Sequence, residues 1–173
     1  CENTKAFAKI ARLQHGRATY AQYLLKQDWL LPPIPDGVSY ERASLACCGL
    51  GPSYGAMHLM GVDAFTTILV TGAGPVGLGA IVNARFRGAR VIVVEPAPWR
   101  AERARALGAD AVLNPRDKQI LKQIQDLTGG RGVDCSLDCA GTPQTERLCI
   151  DATGRKGKVA FIGECTDRLS IRV

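Results

Sequence analysis

One strand that runs directly into a glycine-rich turn and then into a helix constrains the fold of this chain most strongly. Residues 66–80 read TTILVTGAGPVGLGA, an apolar β-branched run followed by GAGPVG and then by a helical pattern. Strands buried inside parallel sheets have this nearly continuous apolar composition. The pattern therefore predicts a strand–turn–helix unit whose backbone bends sharply at the glycines.

The alternation of strand and helix continues along the rest of the chain. RVIVVE, AVLN, VDCSLDC and KVAFIG are predicted strands, and three helices are predicted over PVGLGAIVNARFRG, PWRAERARALG and QILKQIQDLTGG. Proline near the first turn and glycine after the last are common helix boundaries. The third helix has an apolar face formed by Ile120, Leu121, Ile124 and Leu127. This alternation predicts an α/β fold, a doubly wound parallel sheet with right-handed connections.

Residues 1–47 have a different pattern. Short β-type runs are interrupted by Pro32, Pro33, Pro35 and Gly37, which predicts two short strands and turns. Ser39 is a candidate N-cap of a short helix, and a second helix is predicted over residues 53–62, ending at Gly61. We therefore predict a β-rich segment over residues 1–47 and an α/β domain over residues 48–173.

Composition and charge exclude several classes of protein. The 173 residues carry a net charge of +6, but without a run of five like charges or aromatics interleaved with the cations. A solvated basic surface is therefore favoured over a nucleic-acid interface. The chain has no uninterrupted apolar stretch of the length that a membrane span needs, so no membrane association is expected. Seven cysteines, an odd number without an apolar signal core, favour reduced thiols and a cytoplasmic location.

The glycines of the turn have the spacing GxGxxG between a predicted strand and a predicted helix. Gly72 permits the tight turn, Gly74 lets a pyrophosphate approach the backbone, and Gly77 lets the helix lie close to the strand. Pro75 and Val76 begin the helix, whose N-terminal N–H groups and dipole favour phosphate. A dinucleotide is the favoured ligand, and another adenosine cofactor such as S-adenosylmethionine is the alternative.

The second strand ends at an acidic residue, Glu95, which can accept hydrogen bonds from the hydroxyls of an adenosine ribose. A 2′-phosphate at that position would meet a like charge, so Glu95 favours NAD over NADP. Arg100 leaves two interpretations open, because its guanidinium can steady the ribose or contact a 2′-phosphate. Without a ligand, Glu95 reads as an ordinary solvated carboxylate at a strand end.

Several segments in this order resemble the medium-chain dehydrogenases: VTGAGPVGLGA, VIVVE, RAERARALGADAVLNP, LTGGRGVDCSLDCAG and GKVAFIGE. The chain is most similar to the zinc-dependent alcohol, polyol and threonine dehydrogenases of that family, which join a GroES-like catalytic domain to a Rossmann domain. GRATYAQY resembles a catalytic-domain segment, with Gln22 in place of the usual acid. The resemblance implies a remnant of the GroES-like domain over residues 1–47 and an NAD-binding Rossmann domain without its last strand over residues 48–173.

The resemblance also implies further contacts with the cofactor. Ala140 and Gly141, after the fourth strand, would lie along it. Phe161, Ile162 and Gly163, after the fifth strand, would offer backbone groups to the nicotinamide carboxamide. Each of these residues is otherwise an ordinary strand end.

One zinc ligand is implied in the same way. In the family the third protein ligand of the catalytic zinc is a cysteine followed by glycine, which matches Cys48 and not its neighbour Cys47. From local sequence alone, Cys48 would read as a buried structural thiol. The first two ligands and the proton-relay Ser or Thr have no match, since His15 and His58 match neither. Cys1 resembles the last of four cysteines that hold a structural zinc.

For the complete enzyme the resemblance implies NAD and zinc as cofactors, a small alcohol or polyol as substrate, hydride transfer as the reaction, and a homo-oligomer. The chain resembles the interior of such an enzyme, and with no catalytic residue assigned we expect it to be inactive alone. Two alternatives are a zinc-free medium-chain reductase, against which Cys48 argues, and a non-catalytic nucleotide-binding module.

Overall fold

The computed structural model describes residues 26–171, and the chain divides into two compact units, Cys1–Val38 and Ser39–Val173. In the first unit, residues 26–38 form a 3-10 turn, Asp28–Leu30, and a turn at Gly37, where φ is +81°. These residues contain no strand, and the rest of the segment with two predicted strands lies outside the described residues. This division falls between Val38 and Ser39, earlier in the chain than the predicted boundary between residues 47 and 48. The assignment of residues 1–47 to a remnant of a GroES-like domain stays a prediction.

The second unit is built on a parallel sheet of five strands. The strands are β1 (Thr67–Thr71), β2 (Arg90–Val94), β3 (Ala111–Leu113), β4 (Val133–Asp138) and β5 (Thr153–Phe161). Their order in the sheet is β3-β2-β1-β4-β5, and every neighbouring pair is parallel. The predicted parallel α/β sheet is confirmed.

Helices connect and flank the strands. They are α1 (Tyr40–Leu45), α2 (Gly51–Met60), α3 (Pro75–Phe86), α4 (Pro98–Ala106), α5 (Ile120–Leu127) and α6 (Pro143–Ala152), with a wide π-type turn, Ala46–Leu50, between the first two. The predicted N-cap forms, because the Ser39 hydroxyl accepts a hydrogen bond from the N–H of Arg42 at 3.4 Å. Gly61 ends α2 with φ at +70°, as predicted.

Alternate residues of the strands face two separate apolar layers. Ile68 and Val70 of β1 contact one layer, which contains Ile81 and Ala84 of α3 together with residues of α2 and α4. Leu69, between them, faces the other layer, which contains residues of α5 and α6. Helices therefore cover both faces of the sheet, which makes it doubly wound and explains why its central strands are apolar throughout.

Two elements differ from the sequence prediction. Helix α6 was not predicted, although Thr142 forms a capping box with Thr145 and Pro143 occupies the first turn. Strand β5 begins at Thr153 and not at Lys158, because Thr153 also pairs with Val133 of β4 before a register shift. Lys156, in this added part, has φ at +65°.

The topology leaves a crevice at one edge of the sheet. The chain leaves β1 for β2 on one side and later returns to β4 on the other side, so β1 is the switch point. In doubly wound sheets ligands bind outside the carboxyl ends of the strands at such a point. Among residues 26–171, the structure contains no helix with the length and apolar character required to cross a membrane.

Candidate functional site

The loop between β1 and α3 is closely packed at one glycine and open at another. Gly72 has φ at +82°, and its N–H donates to the carbonyl oxygen of Val94 at 2.8 Å. A Cβ on Gly77 would overlap the carbonyl oxygen of Gly72, whereas a Cβ on Gly74 would have no protein atom within 4 Å. A ligand can therefore approach the backbone at Gly74.

The start of α3 supplies hydrogen-bond donors beside this open space. Gly74 is the N-cap and Pro75 follows in the first turn, and no side chain caps the helix. The N–H groups of Val76 and Gly77 have no acceptor within the helix, because the first turn of any α-helix lacks one. Together with the helix dipole, these donors suit an anionic group such as a pyrophosphate.

Glu95 lies immediately after β2, and its carboxylate is almost completely buried. One oxygen, Oε2, accepts the N–H of Ala73 at 2.7 Å, and the other, Oε1, accepts the N–H of Ala97 at 2.8 Å. Glu95 is therefore not a freely solvated strand-end acid, since it ties the glycine loop to the turn after β2. A carboxylate oxygen has two lone pairs, so each oxygen retains one acceptor position for a ligand hydroxyl.

A cleft of about 440 Å³ opens at the carboxyl edge of the sheet in front of the loop. It brings together five residues that the sequence predicted as cofactor contacts: Gly72, Gly74, Glu95, Arg100 and Ala140. The Arg100 guanidinium lies 5.0 Å from the centre of the Trp99 ring, a cation–π arrangement that holds the charge beside the cleft. The cleft thus combines an acceptor carboxylate, a backbone that a ligand can approach closely, and N–H donors at a helix N-terminus. This combination fits a dinucleotide.

Sequence reasoning missed part of the cleft wall. Thr142, Gln144 and Thr145, at the start of α6, line the cleft together with Pro96 and Pro115. The signal for the first three was the sequence TPQT after the fourth strand, in which Thr142 caps the helix and Pro143 occupies its first turn.

The remaining predicted cofactor contacts lie at the same edge of the sheet, after β4 and β5. Gly141 has φ at +70°, and its N–H donates to Oδ2 of Asp138 at 2.9 Å. The N–H groups of Ile162 and Gly163 donate to the carbonyl oxygen of Asp138 at 2.8 and 3.0 Å. These two donors are therefore already used within the protein, and the carboxamide contact of this segment stays a prediction.

Cys48 lies in the turn Ala46–Leu50, and both Cys48 and its neighbour Cys47 are exposed, so neither is a buried structural thiol. The turn is held against α3 by Asn83, whose Nδ2 donates to the carbonyl oxygen of Leu50 at 2.9 Å and to the Ser53 hydroxyl at 2.8 Å. The structure thus fixes the backbone next to Cys48 to the same helix that begins at the glycine loop.

The described residues do not hold a catalytic zinc by themselves. Such a zinc needs three protein ligands with a fourth position open. Between residues 26 and 171, no three His, Cys, Asp or Glu side chains lie close enough together to bind a metal ion. His58 is exposed on α2, and Cys1 and His15 lie outside the described residues. The assignment of Cys48 as one ligand stays a prediction.

Comparison with known proteins agrees with this geometry. A family model described as zinc-binding dehydrogenase matches residues 75–173. The chain is 33% identical to the L-threonine 3-dehydrogenase of Pyrococcus abyssi, over 99% of this chain and 47% of that protein. It is 34% identical to the sorbitol dehydrogenase of Bacillus subtilis, over 83% of this chain and 41% of that protein.

The fold is also similar to that of a solved dehydrogenase. A solved NAD-dependent alcohol dehydrogenase superposes with a TM-score of 0.78 at 31% identity, over 87% of this chain and 44% of that chain. The chain spans less than half the length of each of these three proteins.

Proposed function

This chain belongs to the zinc-binding dehydrogenase family, and from that premise we propose that it is the NAD(H)-binding part of a zinc-dependent medium-chain dehydrogenase, which oxidises a small alcohol or polyol to a carbonyl compound. The observation that carries the proposal is the cleft in which the open face of Gly74, the Glu95 carboxylate and Ala140 meet. The names of the threonine, sorbitol and alcohol dehydrogenases among its relatives support a hydroxyl-bearing substrate.

The residues of this chain bind and orient the cofactor in the proposed mechanism. The N–H groups of Val76 and Gly77 receive the pyrophosphate in front of Gly74, and Glu95 accepts a ribose hydroxyl. Ala140 and Gly141 lie along the cofactor, and the backbone carbonyls of residues 161–163 receive the carboxamide. When bound, NAD⁺ supplies the acceptor for the hydride that leaves the substrate carbon.

The buried charge of Glu95 determines the cofactor preference in this proposal. Because both of its oxygens accept backbone N–H bonds, the Glu95 side chain is held in the cleft and cannot swing away from an incoming 2′-phosphate. NADP(H) would place negative charge against it, whereas NAD(H) offers a hydroxyl donor to the same oxygens. Cytoplasmic location and an oligomeric parent enzyme are further proposals that rest on the family resemblance alone.

Titration of the purified chain with NADH and with NADPH, followed by nicotinamide fluorescence, tests the proposal. We expect NADH to bind at least about tenfold more tightly, which corresponds to about 1.4 kcal/mol. Arg100→Gln is the matched variant, and it should leave the preference unchanged if Glu95 sets it. Equal or tighter NADPH binding by the wild type, lost in Arg100→Gln, would show that Arg100 recognises a 2′-phosphate and would contradict the proposed preference.

A second measurement concerns turnover. Because the described residues offer Cys48 and no other placed zinc ligand, we propose that this chain alone does not oxidise alcohols. An assay of NAD⁺ reduction with alcohols, polyols and threonine, run beside metal analysis of the same sample, tests this. Stoichiometric zinc together with turnover would overturn the claim.

A further inference from the structure

Asp138, the last residue of β4, is a completely buried acid that none of the predicted cofactor roles uses. Its Oδ1 accepts a hydrogen bond from the Thr71 hydroxyl at 2.5 Å, and its Oδ2 accepts the N–H of Gly141 at 2.9 Å. Its backbone oxygen accepts the N–H groups of Ile162 and Gly163. One residue therefore joins the carboxyl end of β1 to the segments that follow β4 and β5.

The charge of this carboxylate is compensated by hydrogen bonds alone. No salt bridge to Asp138 occurs within residues 26–171. Burial raises the pKa of the Cys149 thiol to about 12, and the carboxylate of Asp138 adds to the rise. Burial and then Asp138 likewise raise the pKa of Cys139 to about 12. A buried charge without a counter-ion is unfavourable unless several donors satisfy it, so its hydrogen bonds are correspondingly hard to replace.

The segments that follow β4 and β5 pack closely against each other and against Asp138. Gly141 has φ at +70°, and a Cβ there would lie 2.7 Å from the carbonyl oxygen of Glu164. A Cβ on Gly163 would overlap the N–H of Gly141 and would lie 2.9 Å from Oδ2 of Asp138. The two backbone segments touch each other, and Oδ2 of Asp138 lies against both of them.

The glycine loop after β1 is held in place by hydrogen bonds that do not involve Asp138. The glycine loop is fixed by the Glu95 carboxylate through Ala73 and by the bond from Gly72 to Val94. Asp138 takes part in neither bond. The glycine loop after β1 and the segments after β4 and β5 therefore depend on different hydrogen bonds, the first through Glu95 and the second through Asp138.

We propose that Asp138 is a positioning residue for the nicotinamide half of the bound cofactor. It holds Ala140 and Gly141, and the carbonyls of residues 161–163, at the spacing that the cofactor requires, while Glu95 and the glycine loop hold the adenosine half. The inference rests on the proposed binding of NAD(H).

The test compares two ligands on the full chain: NADH, which carries both halves of the cofactor, and ADP, which carries only the adenosine and the two phosphates. Asp138→Ala removes both side-chain acceptors. We expect it to weaken NADH binding at least tenfold and ADP binding less than threefold. Equal loss of affinity for both ligands would indicate general damage to the domain. No loss for either ligand would show that Asp138 does not position the cofactor. Either result overturns the inference.

Two variants of β4 complete the design. Asp138→Asn conserves the shape, because the Thr71 hydroxyl can rotate to accept from the amide while Gly141 still donates to the amide oxygen. It should recover most of the NADH affinity that Asp138→Ala loses. Asp134→Ala is the matched control, since Asp134 accepts the N–H of Thr67 at 2.8 Å at the opposite end of the same strand pair. It should change neither affinity.

If Asp138→Ala does not fold, Thr71→Val tests the same contact, because it removes one of the two donors to the Asp138 carboxylate, the Thr71 hydroxyl, without loss of volume. NADH binding should weaken about three- to fivefold with ADP unchanged, and Thr71→Ser should restore it. Identical NADH affinities for the Val and Ser variants would overturn the inference. Failure of the wild-type chain to bind either ligand would instead contradict the proposed function itself.

Discussion

Gly74, the N-cap of α3, and Gly77, in its first turn, lie three residues apart, but one has open space at its Cα atom and the other has none. A side chain on Gly74 would point into the cleft, with no protein atom within 4 Å. A side chain on Gly77 would strike the carbonyl oxygen of Gly72. Gly74 also has φ at −73° and ψ at −173°, an extended conformation that any residue adopts. Of these two glycines, only Gly77 is required by the fold itself.

Valine at each of these two positions separates binding from folding. Gly74→Val should leave the melting temperature within a few degrees of wild type but abolish NADH binding, since the side chain fills the space that the pyrophosphate needs. Gly77→Val should destabilise the fold by about 2–3 kcal/mol, or roughly 4–10 °C in melting temperature. Calorimetric titration and thermal unfolding of both variants provide the measurement. Unchanged NADH affinity in Gly74→Val would show that the phosphates bind elsewhere.

Single residues also show what the sequence predicts and what it does not. The place of Glu95 at the end of an apolar strand, after a GxGxxG turn, is a local pattern and was predicted. Its hydrogen bonds to Ala73 and Ala97 were not, because they depend on how closely two strand ends approach in the folded sheet. The hydrogen bond between Thr71 and Asp138 joins residues 67 positions apart and leaves no trace in either local sequence.

At the scale of elements, the sequence predicted strands that are buried on both faces and helices that are buried along one face. Buried parallel strands are apolar throughout, and α5 has an apolar face, so their patterns are visible. Helix α6, PQTERLCIDA, buries Glu146, Cys149 and Ala152 and has a mixed composition, which hides its period. Strand β5 starts early because Thr153 pairs with Val133 of β4 before a register shift, a tertiary contact that local strand propensity does not predict.

The contact between α3 and the turn Ala46–Leu50 depends on one small residue. A Cβ on Gly79 would overlap the carbonyl oxygen of Gly49, so the helix and the turn touch through their backbones. The Asn83 side chain then donates to the carbonyl oxygen of Leu50 beside this contact. The position of the turn that carries Cys48 follows directly from the absence of a side chain at Gly79.

Alanine at Gly79 and at Gly55 tests this contact with a matched pair. Both glycines lie within helices, so both substitutions gain the same helix propensity, up to about 1 kcal/mol. Gly55 has no neighbour within 4 Å, so Gly55→Ala should stabilise the protein. Gly79→Ala should destabilise it by about 1–3 kcal/mol, because the turn must move away. Urea unfolding of both variants measures the difference, and equal stabilities would contradict the close approach.

For the whole molecule, buried thiols link stability to pH. The pKa of Cys149 and that of Cys139 are both raised to about 12, chiefly by burial. In the unfolded chain these thiols ionise at their ordinary pKa, about 8.5. A raised folded-state pKa means that the stabilising contribution is complete below the unfolded pKa and is lost as pH rises from there towards about 12.

The free energy of unfolding should therefore fall by about 1.4 kcal/mol per pH unit for each such thiol above about pH 9. Urea unfolding at pH 7, 9 and 10 measures this slope. Cys149→Ala should make the slope shallower by about 1.4 kcal/mol per pH unit, the contribution of one thiol. The variant should also be less stable than wild type at pH 7. Cys165→Ala, which removes a partly exposed thiol, is the control. The same slope in wild type and Cys149→Ala would show that Cys149 ionises normally in the folded protein.

The central position of β1 has a consequence for the order in which the sheet forms. Its pairing with β2, where Thr67 lies opposite Arg90, closes a short segment around α3, whereas its pairing with β4 joins Thr71 to Asp138 across a much longer stretch of chain. Contacts between residues close in sequence form faster, because less chain entropy is lost when the loop closes. We expect β1, α3 and β2 to assemble first, so the glycine loop and Glu95 come together early. The segments that Asp138 holds together reach their places only once β4 and β5 have joined the sheet.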